Sequence, residues 1–156
     1  MSGRYPHNSK INVRQEWERA ARRRRATGRR KYTRAVDADA IDLDEFEGMV
    51  TQALEDLPDW VQEAVAGIAI MVDDEPPADW HGRGLLLGQF HGVARTRIGS
   101  RVPGSLPDRI ELYRVPILKV SRTADDVAAR VRKVLGHEIG HAFGIAETRL
   151  RELGWY

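Results

Sequence analysis

The 156-residue sequence contains no cysteine. Disulfides, thiolate metal sites and a cysteine nucleophile are therefore excluded, and a reducing compartment fits that composition. Long apolar runs are also missing. No stretch approaches the roughly 20 residues that cross a bilayer, and the N-terminus, MSGRYPHNSKINVRQEW, lacks the apolar run of a signal peptide. The expectation is a soluble cytoplasmic protein with no membrane contact. Acidic residues are scarce at one end only. Residues 1–35 carry twelve Lys and Arg against two Glu, a balance of +10, while the remainder carries thirteen against twenty-one, a balance of −8. The net charge of +2 hides this asymmetry, and the basic pI describes a tail rather than the body.

That tail, with ERAARRRRATGRRKYTR at its heart, has few apolar residues. The part from Val13 to Ala26 could form a helix with Trp17 on one side, but an arginine run without acidic partners repels itself. Residues 1–35 read as a flexible, solubilising appendage. The functional reading is a tether for nucleic acid or an acidic partner: arginines contact phosphates, but nothing here could read a base.

What remains, residues 36–156, is long enough for one ordinary domain, and a chain that is 42% hydrophobic overall can build a core. Phe46, Met49, Val50, Ala53, Leu54 and Leu57 recur at helical spacing after a candidate cap at Asp42 or Asp44, and Pro58 ends the run. DWVQEAVAG predicts a short second helix closed by Gly67. GIAIMVDD reads as a buried strand and LLLGQFHG as a second one. ARTRIGSRVPGSLP reads as a loop. RIELYRVPIL alternates Ile110 and Leu112 against Glu111 and Tyr113 like a half-buried strand, with Pro116 at an edge or strand end. The last long element opens at Thr123 and stops at Gly144, its apolar face formed by Val127, Val131, Val134, Leu135 and Ala142. Helices, then strands, then one helix imply an α+β fold, a small mixed sheet packed on helices.

Inside that last helix lies LGHEIGHAFGIAE. Residues four apart share a helix face, so His137 and His141 can aim both imidazoles at one point. Zinc accepts imidazole nitrogens at ~2.0–2.1 Å, and one helical turn separates two of them suitably. Glu138, one residue round from His137, falls beside the metal and within reach of a water there. This is the HExxH arrangement of zinc proteases. A catalytic zinc needs a third protein ligand. Gly144 lets the helix end and the chain reverse, which delivers Glu147, six residues beyond His141; Glu152 is the competing carboxylate.

With these residues, the chain resembles the small zincin-like metallopeptidases, the minimal zincins. The likeness extends over residues 41–154, through FEGMVTQALEDLP, IAIMVDDEPP, LLLGQFHGVARTR, LPDRIELYRVPIL and VLGHEIGHAFGI. It implies a compact α+β fold, zinc held by His137 and His141, and Glu138 as the base. The family usually has aspartate where this chain has Glu147, one methylene longer. The expected chemistry is hydrolysis of a peptide or protein substrate, with Glu138 moving the proton. A catalytically weak or inactive zinc-binding module is the alternative. Tyr113 and His91 are candidates to stabilise an oxyanion, although a plain strand or loop role suits each of them. Fifteen residues follow His141, with Leu150, Leu153 and Trp155 available to pack back. So short a segment predicts a shallow, open cleft, and weak activity on generic peptides or dependence on a partner.

Overall fold

The computed structural model describes residues 35–96, 103–104, 106–152 and 155. All fall within one compact unit, Thr33–Tyr156. The basic segment, its expected Val13–Ala26 helix and its reading as a tether lie outside the described residues, Ala35 apart. So does Leu153.

Helix α1, Leu43–Glu55, starts where Asp42 accepts a hydrogen bond from the Glu45 N–H at 2.8 Å, and its first turn is acidic. It buries Phe46, Val50 and Ala53. Helix α2, Asp59–Val65, begins just after Pro58 and buries Val61 and Val65. Three strands follow: β1, Ala69–Asp73; β2, Gly88–His91; and β3, Arg109–Tyr113. Their order is β1-β3-β2, with β1 parallel to β3 and β2 antiparallel to it. Helices α3, Arg114–Lys119, α4, Ala124–Ala142, and α5, Glu147–Glu152, complete the described chain. The architecture is α+β, as the order of elements predicts.

Two strands differ from expectation. GIAIMVDD is an edge strand whose Ala69, Met71 and Asp73 are exposed; only Ile70 and Val72 turn inward. RIELY is the central strand. Ile110 and Leu112 are fully buried on one face, and Glu111 and Tyr113 are buried on the other. Alternating polarity there reflects two buried faces of different chemistry, because the polar one satisfies itself. Pro116 belongs to neither strand nor edge: it is the third residue of α3, in the first turn, where its missing N–H costs no intrahelical bond.

Helix α4 is the spine. Thr123 Oγ1 accepts from the Asp126 N–H at 3.1 Å at its start. At its end Ile145 N–H donates to Gly140 O and Gly144 N–H to His141 O, a Schellman closure. Gly144 has φ +78°, a left-handed conformation that glycine adopts without a side-chain penalty. Val127, Val131, Leu135 and Ile139 pack into a core with Phe46, Val50, Ile110 and Leu112, so α4 lies against α1 and the inner face of the sheet. Arg114 clasps the chain's entry to this core, donating to the carbonyls of Ala38 and Ile41 at 2.7 Å and to Asp74.

Candidate metal centre

The last two turns of α4 carry His137, Glu138 and His141. After the Schellman closure the chain reverses, and α5 opens with Glu147 beside them. His137 Nε2 and His141 Nε2 are 3.0 Å apart, and Glu147 Oε2 lies 3.2 Å from each. Among the described residues, these three form the group that could hold a metal ion. Four ligands set tetrahedrally around zinc at ~2.0–2.1 Å would be roughly 3.3–3.4 Å from one another. The observed triangle matches that edge length to within a few tenths of an ångström. Three lone-pair-bearing atoms converging so closely fit a cation better than one another.

The surroundings set the state of each donor. His137 Nδ1 is 2.7 Å from the Trp155 carbonyl oxygen, which can only accept. The proton therefore sits on Nδ1, and Nε2 presents its lone pair to the cluster; such a carbonyl contact commonly orients ligating histidines. Glu152, the competing carboxylate, pairs instead with Arg149 at 2.8 Å and is exposed. Helix geometry explains the outcome, since Glu147 occupies the first residue of α5 and Glu152 the last.

Glu138 is only 7% exposed and contributes nothing to the triangle. Its Oε2 accepts the Phe90 N–H at 2.8 Å, from edge strand β2. Burial pushes its carboxyl above the ordinary value; the neighbouring histidines and the Phe90 N–H pull it back, and Glu147 adds to the rise. Gly88 is what lets β2 approach. A Cβ there would come within 2.6 Å of Val134 and 3.5 Å of the Glu138 side chain.

Residues 65–155, more than half the chain, match the zincin-like metallopeptidase family. The chain belongs to that family. A solved structure of a conserved hypothetical protein from T. thermophilus is similar over 66% of this chain and 94% of its own, with 22% identity and a TM-score of 0.49. No curated protein matches the chain. No helix among the described residues is long and apolar enough to cross a membrane.

Within this zincin-like domain, Tyr113 and His91 stand elsewhere. The Tyr113 hydroxyl donates to Glu111 Oε2 at 2.9 Å, and His91 Nε2 lies 3.0 Å from the same oxygen. Both occupy the sheet face opposite Gly88 and Leu112, hence opposite α4. They hold Glu111, not a substrate oxygen. Reading the sequence also missed the Phe90 N–H and the Trp155 carbonyl. Backbone groups carry no residue signature, though a glycine inside a strand, Gly88, is a recognisable sign of close approach.

Proposed function

We propose that the protein is a zinc-dependent peptide hydrolase, with His137, His141 and Glu147 as metal ligands and Glu138 as general base. The observation that carries this reading is the 3.0–3.2 Å triangle of ligand atoms with a buried, tethered carboxylate next to it on the same helix. When bound, zinc supplies Lewis acidity, lowering the pKa of water from 15.7 to roughly 7 and polarising a carbonyl. The chain's own residues do the rest. Glu138, with Oε2 held by Phe90, takes the proton of the attacking water through its other oxygen. The water oxygen joins the carbonyl carbon, the C–N bond breaks, and Glu138 returns the proton to the departing amine. Its raised pKa suits a group that must both accept and release a proton. The Trp155 carbonyl keeps His137 in the ligating tautomer.

Elemental analysis of wild type beside His137→Ala and Glu147→Ala tests the ligand set. About one zinc per chain is expected in wild type and little in either variant; retention in Glu147→Ala would move the third ligand elsewhere. Glu138→Gln is expected to keep its zinc and lose peptide cleavage by roughly 10²–10⁴-fold. Should it cleave as wild type does, or should wild type cleave nothing, the inactive zinc-binding module becomes the better reading.

A further inference from the structure

A cavity of about 470 Å³ opens beside His137 and Glu138 and runs toward the N-terminal end of α4. Its walls are apolar: Leu85, Leu86 and Leu87 on the approach to β2, Val134 on the helix, and Trp155. Two cations, Arg130 and Lys133, complete the lining. They precede His137 by seven and four residues, which places all three on one stripe of the helix, about 6–10 Å apart along its axis at ~1.5 Å per residue.

Neither cation has an acidic partner among the described residues. Arg132, between them in sequence, does: it faces Asp56 at 3.8 Å. Arg130 Nε is buried with no hydrogen-bond partner, an arrangement that is costly unless an acceptor arrives. Lys133 is exposed but lines the same cavity. Partial desolvation along the cavity wall and then the Arg130 charge hold its ammonium below the usual lysine range. An anion placed between the two would relieve both, and a carboxylate matches a guanidinium's fork of donors.

An extended peptide advances about 3.3 Å per residue, so a group two or three residues from the bond at Glu138 reaches these cations. We propose that this cavity selects peptides that carry a carboxylate, from an Asp or Glu side chain or a free C-terminus, two or three residues from the scissile bond, with an apolar side chain between. The proposal rests on the peptide-hydrolase reading and names its substrate class. The apolar walls favour a peptide over a polynucleotide, whose phosphates would leave Trp155 and the leucines unused.

The test uses the full chain loaded with zinc. Glu138→Gln, which should bind without turnover, is titrated calorimetrically with peptide octamers differing only by Glu against Gln, or by a free against an amidated C-terminus. The acidic member is expected to bind about five- to tenfold tighter at low salt. That preference should fall to about twofold or less when Arg130→Gln and Lys133→Gln are added, and persist with Arg132→Gln. Because Lys133 is exposed, Lys133→Gln alone provides a weaker loss that does not depend on tolerance at Arg130. The two peptide pairs distinguish a side-chain carboxylate from a terminal one. Equal affinity within both pairs, a preference indifferent to the Arg130 and Lys133 substitutions, or no binding at all overturns the proposal. Cleavage of the same peptides by wild type is a separate readout. Charge-selective binding without cleavage sinks the hydrolase and keeps the pocket; cleavage indifferent to charge does the reverse.

Discussion

Glu111 shows how one residue can make a buried polar face tolerable. It sits mid-strand at 8% exposure, where an isolated carboxylate would be costly. Arg109 Nε donates to its Oε1 at 2.6 Å, while Tyr113 and His91 share its Oε2. Burial by itself would raise this carboxyl, but the Arg109 and Tyr113 hydrogen bonds and the His91 and Arg109 charges outweigh it, leaving the pKa below its ordinary value. Tyr113 moves the other way: burial, then its bond to Glu111, raises the hydroxyl above the ordinary tyrosine range. The sign for stability follows from linkage. A depressed carboxyl stabilises the fold above its unfolded value of about 4.3 and loses that contribution as pH falls through the folded value. Glu111→Gln should therefore be less stable than wild type at pH 7, with the gap closing below about pH 4. Urea midpoints measured from pH 3 to 7 check this; a gap independent of pH would refute the network's role.

At the scale of elements, the decisive contact is between α4 and α5. Gly136 and Gly140, one turn apart, strip side chains from the stripe of α4 on which the C-terminal segment lies. A Cβ at Gly140 would sit 2.5 Å from Leu150, and one at Gly136 would sit 2.6 Å from the Trp155 ring. Leu150 is itself buried, so it has little room to yield. These contacts position Glu147 and the Trp155 carbonyl together. Gly140→Ala is expected to push α5 away and weaken zinc binding roughly 10–100-fold, the usual scale for losing support around a ligand. Gly48→Ala on α1, where a Cβ meets nothing within 4 Å, should leave zinc affinity alone and stabilise the helix by about 0.5–1 kcal/mol. Zinc competition titrations of the two variants compare them directly, and wild-type affinity in Gly140→Ala would refute the packing account.

For the domain as a whole, the core and the candidate metal centre are separable. The core joins α1, the inner face of the sheet and α4 through Phe46, Val50, Ile110, Leu112, Val131 and Leu135, none of which is among the three residues that could hold a metal. The centre lies at the far end of α4, with Glu147 41% and His141 32% exposed at their side chains. Chelation should therefore lower the melting temperature without unfolding the chain. Zinc at 100 times its Kd contributes about 2.7 kcal/mol. For a domain of this size that amounts to roughly 5–10 °C. Calorimetry with and without chelator measures the shift, and hydrogen exchange should accelerate in α5 before the sheet. Complete unfolding on metal removal, or no shift, would contradict this division.

The sequence by itself determined whatever depends on neighbours a turn or less away: a first cap narrowed to Asp42 or Asp44, the cap at Thr123, the stop at Gly144, and two imidazoles four residues apart with a carboxylate between them. Helical periodicity and capping chemistry are local, so the letters suffice. Tertiary structure decided what depends on distant chain. It buried the polar face of RIELY, set Pro116 in a helix, placed Glu147 rather than Glu152 beside the two histidines, and gave Glu138 a partner 48 residues away at Phe90. Backbone donors and acceptors are the same at every residue, and only folding determines which of them meet.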